Sequence, residues 1–202
     1  MPEINRAILL DRDGVLNYPV LNSSTGEYEA PQQEKDFKLF PSVIKSLRQL
    51  IDLNYKLFVV SNQPDYAKGK TSLENLKLVH STMHNIFVKN NINFTEYYYC
   101  YHHPKGVIPE YSTICECRKP GILFLKQARL KYSLDLSSSW MIGDRDSDID
   151  CGQLAGTKTI MIKQIHLADK AGESKPDYMV NNLQEAVEII KRLHKEINVQ
   201  SH

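Results

Sequence analysis

The sequence predicts an α/β fold, with helices on both faces of a doubly wound parallel sheet and three layers in all. Short, wholly apolar runs alternate along the chain with amphipathic segments of helical period, and this alternation is typical of that class. The length of 202 residues suits one domain, and the chain shows neither an internal repeat nor a low-complexity segment. We therefore expect residues 1–202 to form a single domain.

Four apolar runs are interpreted as strands, because strands that are buried on both faces carry apolar residues without alternation. In chain order they are residues 7–10, 57–60, 140–142 and 159–162. The first three end in polar residues, at Asp11, at Ser61 and at Gly143-Asp144. Ligands of open α/β sheets bind beyond the carboxyl ends of the strands, so these ends predict the functional site.

The amphipathic segments between the runs are interpreted as helices. Apolar residues recur at helical spacing over 43–51, and a capping box at 71–74 precedes the second helix. A third helix is expected from about 121 to 131, just after Pro120, and a last one over about 183–193.

Two stretches interrupt this alternation. Residues 17–40 contain Pro19, Pro31 and the turn-forming run Asn22-Ser23-Ser24-Thr25-Gly26, and are interpreted as a flap near the first strand. Residues 100–119 contain cysteine, histidine and proline without helical period, and are interpreted as a loop.

Charge and cysteine content narrow the function classes. Lys+Arg number 25 and Asp+Glu 24, a balance that argues against a nucleic-acid partner bound through overall charge. No apolar run approaches the ~20 residues that span a bilayer, and residues 1–6 lack the apolar core of a secretory signal. We expect a cytoplasmic protein, in which clustered cysteines are metal ligands or reactive thiols rather than disulfides.

Acidic residues follow two of the predicted strands. Asp11 is suited to act as a nucleophile or metal ligand, and Asp13 lies on the same side if the chain stays extended. Asp144 and Asp148 are one helical turn apart. Any single aspartate here is more often a helix cap, but converging carboxylates repel one another unless a hard divalent cation such as Mg²⁺ lies between them.

Cys100, His102, Cys115 and Cys117 provide three thiolates and one imidazole, which is the composition of a closed structural zinc site. The alternatives are buried cysteines that serve as small apolar side chains, or a redox pair. His103 is a competing ligand, although we expect it to face the loop or the substrate. The zinc interpretation is favoured because the set flanks a loop that has no regular structure of its own.

Four segments of the chain resemble the four motifs of the haloacid dehalogenase (HAD) phosphatases, in the same order. They are Asp11-Arg12-Asp13-Gly14-Val15, Ser61-Asn62-Gln63, Arg118-Lys119-Pro120 and Gly143-Asp144-Arg145-Asp146-Ser147-Asp148. The resemblance implies a Rossmann-like phosphatase fold with a minimal cap and, at this size, a monomer.

The resemblance also implies a role for each motif residue. Asp11 would attack phosphorus and become an aspartyl-phosphate, while Asp13 would protonate the leaving oxygen and then activate water. Ser61 and Lys119 would hold the phosphoryl group. Mg²⁺ would be bound by Asp11, Asp144 and the backbone carbonyl of Asp13, with Asp148 in support.

The loop narrows the resemblance to the zinc-loop branch, through Cys-x-His-His-Pro followed by Cys-x-Cys-Arg-Lys-Pro. Zinc on Cys100, His102, Cys115 and Cys117 would then position the lysine and arginine that follow. The implied substrate is D-glycero-D-manno-heptose 1,7-bisphosphate, cleaved at the 7-phosphate during nucleotide-activated heptose biosynthesis. Histidinol phosphate is the alternative substrate, and the anomer of the heptose is left open. Further substrate contacts are expected at Asn62, Gln63, Arg118 and Arg145.

Two other classes compete with a phosphatase. A phospho-acceptor signalling domain also has an aspartate at a strand end and a partner lysine, but it needs neither the Asp-x-Asp pair nor a cysteine loop. A zinc-stabilised binding module would not need Asp11, Asp13, Lys119 and Asp144 together. Hydrolysis of a small phosphate ester with magnesium present separates both classes from the phosphatase.

Overall fold

A computed structural model describes residues 5–23, 25–164 and 172–200, with side chains of the last helix described as far as residue 196. Ser24 of the predicted flap and residues 1–4, 165–171 and 201–202, which belong to the predicted domain, lie outside this description. The strands are β1 (Arg6–Leu10), β2 (Val20–Leu21), β3 (Tyr28–Glu29), β4 (Tyr55–Asn62), β5 (Glu96–Cys100), β6 (Trp140–Gly143), β7 (Lys158–Ile162) and β8 (Tyr178–Val180). The helices are α1 (Val43–Asp52), α2 (Leu73–Lys89), α3 (Leu123–Tyr132), α4 (Asp146–Ala155) and α5 (Leu183–Gln200).

Six of the strands form one sheet in the order β5-β4-β1-β6-β7-β8, and every neighbouring pair is parallel. The chain first builds outward from β1 through β4 to β5, and then starts again on the other side of β1 at β6. Such a reversal of strand order opens a crevice at the carboxyl ends of the central strands. The predicted doubly wound parallel sheet is confirmed.

Side chains of the central strands alternate between two apolar layers. Ile8 and Leu10 of β1 face the layer formed with α1, α2 and α5, while Ala7 and Leu9 face the layer formed with α3 and α4. Each fully buried side chain of leucine or isoleucine size stabilises the fold by roughly 1.5–3 kcal/mol. Because helices cover both faces of the sheet, every residue of β1 from Ala7 to Leu10 is apolar.

The four predicted strands are present, and sequence reasoning missed β5 and β8. The β5 sequence Glu-Tyr-Tyr-Tyr-Cys carries phenolic hydroxyl groups and does not form an apolar run, although its tyrosines pack on the sheet. β8 has only three residues. Cys100, expected in a loop, is the last residue of β5.

The predicted flap contains a short antiparallel hairpin of β2 and β3. Three contacts attach it to the segment that follows β4. Lys70 forms an ion pair with Glu29, the Thr71 hydroxyl donates to the Gln32 carbonyl at 2.9 Å, and the Gln32 amide donates to Asp65 at 3.3 Å. The flap is thus attached to the segment that follows the second motif.

None of the helices in the described part of the chain combines the length and the apolar character that crossing a membrane requires.

Candidate active site and cysteine cluster

The three adjacent central strands end at the predicted site. Asp11 follows β1, Ser61 is the last but one residue of β4, and Asp144 follows β6. Gly14 lets the loop after β1 approach this point, because its φ is +83° and a Cβ there would lie 2.2 Å from Asp144 Oδ2. The sheet therefore brings together residues that lie more than 130 positions apart in the sequence.

Lys119 enters this group as a buried cation, with 3% of its surface exposed. Its Nζ lies 3.0 Å from Asp11 Oδ1 and 2.7 Å from Asp148 Oδ1, and it donates to the Val60 carbonyl at 2.5 Å. Burial alone would lower the pKa of Lys119, but the charges of Asp11 and Asp148 raise it above its usual value. Lys119 is thus held as an ammonium group beside the predicted nucleophile.

Asp148 occupies the first turn of α4 and organises the loop before it. Its Oδ2 accepts the backbone N–H of Asp144 at 3.1 Å and that of Arg145 at 3.0 Å. Gly143 is required here, because a Cβ at that position would lie 2.1 Å from the Asp148 Cβ. The position of Asp148 suits the supporting role expected from the sequence.

The carboxylates of Asp11, Asp144 and Asp148 fit a hard cation. One oxygen of each lies within 4.8 Å of the other two. The buried Asp144 Oδ1 has no hydrogen-bond partner among the described residues, and burial together with the Asp11 and Asp148 charges raises the pKa of Asp144 well above its usual value. A divalent cation with oxygen ligands would satisfy this atom and offset the repulsion.

Replacing Lys119 tests this electrostatic balance. We expect Lys119→Met to lower the free energy of unfolding by about 3–5 kcal/mol in magnesium-free buffer, because it leaves buried carboxylates without their cation. Urea denaturation measures the loss. Lys131→Met removes an exposed ion pair to Glu96 and serves as the control, for which we expect a much smaller loss. Equal stability of Lys119→Met and the unmodified protein would contradict the account.

The Asp13 carboxylate does not belong to this group of three and is surrounded by hydrogen-bond donors. It receives hydrogen bonds from Arg12, Asn17 and Gln63. Burial raises the pKa of Asp13, but the Arg12 charge and these hydrogen bonds outweigh burial, so that the net pKa lies below its usual value. At rest Asp13 is therefore a carboxylate.

Two residues expected to contact substrate also form hydrogen bonds within the protein through their side-chain amides. Asn62 accepts from the Lys119 backbone N–H at 3.0 Å and donates to the Lys119 carbonyl at 3.1 Å. Gln63 is buried and bonded to Arg12, Asp13 and Ser61. Both amides thereby hold residues that are predicted to be catalytic, and their own predicted contacts with substrate stay predictions.

Lys68, Arg118 and Arg145 lie close enough for their charges to interact, and Arg145 also interacts with Asp144 and Asp11 of the site. We call these three residues the cationic rim. Burial lowers the pKa of Lys68, and so do the positive charges of Lys70, Arg118 and Arg145. The negative charge of Asp65 acts in the opposite direction. Arg118 is half-buried and donates to the His102 carbonyl at 3.3 Å, whereas the Arg145 side chain is 61% exposed.

Lys68 belongs to this rim but was missed by sequence reasoning. Its place in segment 63–69, directly after the second motif, could have marked it as a candidate. Burial and the nearby charges of Lys68 and Arg118 lower the pKa of His103.

The four predicted zinc ligands converge. The sulfur atoms of Cys100, Cys115 and Cys117 lie 3.2–3.6 Å apart, and His102 Nδ1 lies 3.4 Å from Cys117 Sγ and 3.8 Å from Cys100 Sγ. These distances exceed the ~2.05 Å of a disulfide and approach the ~3.8 Å between sulfur ligands on one tetrahedral zinc. His103 Nδ1 instead accepts from the Lys105 backbone N–H, at 3.1 Å. The donor set fits zinc, with His102 as its imidazole.

Comparisons with known proteins agree with this geometry. A family model described as HAD-hydrolase-like matches residues 116–186. A D-glycero-alpha-D-manno-heptose-1,7-bisphosphate 7-phosphatase of Photorhabdus laumondii is 32% identical over 170 residues, which cover 84% of this chain and 88% of the relative. A D-glycero-beta-D-manno-heptose-1,7-bisphosphate 7-phosphatase of Haemophilus influenzae is 32% identical over 193 residues, or 95% of this chain and all of the relative.

Among solved structures, a D,D-heptose 1,7-bisphosphate phosphatase from B. bronchiseptica, complexed with magnesium and phosphate, has the same fold. Its TM-score is 0.76 at 20% identity, and the match covers 93% of this chain and 98% of that chain. Motif order, strand-end geometry and identity over nearly the whole length lead to one conclusion. The chain belongs to the HAD-like phosphatases, in the family of the D-glycero-D-manno-heptose-1,7-bisphosphate 7-phosphatases.

Proposed function

We propose that this phosphatase removes the 7-phosphate of D-glycero-D-manno-heptose 1,7-bisphosphate through an aspartyl-phosphate on Asp11. The observation that carries the proposal is the position of Asp11, which lies against the buried Lys119 ammonium at the carboxyl edge of the sheet. The relatives named for this reaction support the choice of substrate. These relatives do not favour the alternative substrate, histidinol phosphate.

In the first half-reaction an Asp11 oxygen forms a bond to phosphorus, and the bond from phosphorus to the sugar oxygen breaks. Lys119 offsets the repulsion between the carboxylate and the incoming phosphate, with Ser61 as a second group near the phosphoryl oxygens. Asp13 gives a proton to the leaving sugar oxygen. The approach of an anionic phosphate raises the pKa of a nearby carboxyl group, which favours the protonated form that this step needs.

In the second half-reaction water attacks the phosphorus of the aspartyl-phosphate, and its proton goes to Asp13. Inorganic phosphate leaves, and Asp11 returns as a carboxylate. Asp11 and Asp144 would hold Mg²⁺, with Asp148 beside them in support, and the ion would supply charge neutralisation at the phosphoryl oxygens. The backbone carbonyl of Asp13 is proposed as a further ligand.

We also propose that Cys100, His102, Cys115 and Cys117 hold a structural zinc ion. Cys117 directly precedes Arg118 and Lys119, so a closed site at these four residues would fix the segment that carries the catalytic lysine. Zinc in this place would act on the position of Lys119 and take no part in the reaction.

The comparison of two substrates tests the proposed function. We expect kcat/KM for the heptose bisphosphate to exceed that for histidinol phosphate by orders of magnitude. A preference for the amino alcohol would overturn the substrate, and no turnover of any small phosphate ester would overturn the enzyme class.

The cationic rim is proposed to hold the second phosphate of the substrate, since a doubly phosphorylated sugar carries negative charge at both ends. Lys68→Met should raise KM for the bisphosphate about 10-fold, because it removes one cation from a phosphate contact. It should change KM for a heptose 7-phosphate far less. Steady-state kinetics with both substrates measure this, and Lys126→Met on the exposed face of α3 is the control. An equal rise in KM for both substrates would contradict a second phosphate at Lys68.

A further inference from the structure

Arg12 is the one residue between the two central aspartates of the first motif, and its side chain is buried. Only 1% of its surface is exposed, which is rare for arginine and costly unless the charge is paired. Arg12 is paired with Asp13. Arg12 Nε lies 3.1 Å from Asp13 Oδ1, and Arg12 Nη2 lies 3.0 Å from Asp13 Oδ2. Two parallel bonds of this kind fix the plane of a carboxylate as well as its position.

Gln63 completes the arrangement from the neighbouring strand. Its Oε1 accepts from Arg12 Nη2 at 2.7 Å, and its Nε2 donates to Asp13 Oδ2 at 2.6 Å and to Ser61 Oγ at 3.1 Å. A reversed amide would place donor against donor at Arg12, so the hydrogen-bond partners determine its orientation. Gln63 therefore connects Asp13 directly to Ser61.

Two further contacts hold this network in place. Asn17 donates to Asp13 Oδ1 at 2.9 Å, so that four hydrogen bonds reach the two carboxylate oxygens. The guanidinium carbon of Arg12 lies 6.0 Å from the ring centroid of Tyr99, whose hydroxyl is 3.0 Å from His80 Nδ1. Arg12 thus also faces the Tyr99 ring of β5.

We propose that Arg12 and Gln63 are positioning residues, which hold the Asp13 carboxyl group in the orientation that proton transfer to and from the phosphoryl site requires. The proposal rests on the proposed function, because it takes Asp13 as the group that moves the proton. Proton transfer needs donor and acceptor atoms about 2.6–3.2 Å apart. An aspartate that is free to rotate would lose this geometry, and a misplacement of ~1 Å costs about 100-fold in rate.

The test uses two substrates that differ in their need for an acid. The sugar alkoxide of the heptose bisphosphate must be protonated as it leaves, whereas the p-nitrophenolate of p-nitrophenyl phosphate is a stable leaving group. Two variants are used. Arg12→Lys keeps the positive charge but loses the planar guanidinium group that forms two parallel hydrogen bonds, and Gln63→Met keeps the side-chain length but loses the amide. Arg48→Lys and Gln153→Leu, both on exposed helix faces, are the matched controls.

With the heptose bisphosphate, we expect each variant to lower kcat about 10- to 100-fold with KM within about twofold. With p-nitrophenyl phosphate, we expect rapid formation of the aspartyl-phosphate, seen as a burst of p-nitrophenolate near one per active site. Slow turnover should follow, because water activation also needs Asp13. Asp13→Asn should show the same pattern, more strongly.

A positioning role is overturned if both substrates lose rate in the same proportion with no burst, which is the behaviour of a residue that only stabilises the fold. It is also overturned if the variants match the unmodified enzyme while Asp13→Asn shows the leaving-group effect; in that case the proposed function stands. If Asp13→Asn itself hydrolyses both substrates at full rate, the proposed role of Asp13 fails as well. Should Arg12→Lys not fold, as judged by circular dichroism, Gln63→Met decides the question.

Discussion

Asp11→Asn should abolish phosphatase activity and leave the protein folded. An amide nitrogen or oxygen does not replace the carboxylate as a nucleophile, and loss of a catalytic nucleophile lowers kcat by on the order of 10⁴-fold or more in well-studied hydrolases. The fold should tolerate the change, because Lys119 keeps Asp148 as its partner. Removing the Asp11 charge also reduces the electrostatic repulsion on Asp144, whose pKa is raised by burial and by that charge. We therefore expect a melting temperature equal to or above that of the unmodified protein.

Single-turnover and steady-state assays measure the activity, and thermal unfolding measures the stability. Asp52→Asn makes the same chemical change at the exposed end of α1 and should keep full activity. Activity of Asp11→Asn above about a hundredth of the unmodified value would contradict the nucleophile assignment.

Cys115→Ser should lose the proposed zinc ion, which we expect at about one per chain in the unmodified protein. A hydroxyl group is a much poorer zinc ligand than a thiolate, and the remaining Cys100, Cys117 and His102 do not close a four-coordinate structural site. Zinc supplies about 10–16 kcal/mol of binding energy in zinc-finger peptides, and each kcal/mol shifts the melting temperature of a chain of this size by about 2–4 °C. Loss of even a part of this energy should lower the melting temperature by several degrees.

Cys151→Ser is the matched control for the cysteine cluster. Cys151 is fully buried whereas Cys115 is partly exposed, so that Cys115→Ser disturbs the core less than its control does. The Cys151 sulfur donates to the Gly121 carbonyl at 3.4 Å and lies outside the cluster. We expect Cys151→Ser to retain stoichiometric zinc by metal analysis. Retention of stoichiometric zinc by Cys115→Ser would contradict the proposed ligand set, and an unmodified protein purified without zinc would favour reduced structural thiols.

The ends of the central strands could be predicted from the sequence, because each of these strands is an apolar run that stops at a polar residue. Asp11, Ser61 and Asp144 follow this rule, and parallel pairing of adjacent strands then brings them together. The cysteine cluster could be predicted for a different reason. Its ligands are few, chemically distinctive and near one another in the chain, so composition alone restricts the interpretation.

The orientation of polar side chains at the site could not be predicted. Arg12 is flanked by two aspartates, and the sequence does not say that its guanidinium turns inward to Asp13 and Gln63. The same holds for Asn62, whose amide holds the Lys119 backbone, a contact that the sequence does not indicate. Such contacts join residues about 50 positions apart and depend on the register of strands that only the folded sheet defines.

The proposed reaction is defined by the bond that the enzyme cleaves, which can be observed directly. Phosphorus NMR of D-glycero-D-manno-heptose 1,7-bisphosphate during turnover distinguishes the ester at C7, coupled to methylene protons, from the anomeric phosphate at C1. We expect the C7 signal to disappear as inorganic phosphate appears, while the amplitude of the C1 signal stays constant. Initial loss of the C1 signal, or an unchanged spectrum under conditions in which histidinol phosphate is hydrolysed, would contradict the proposed reaction.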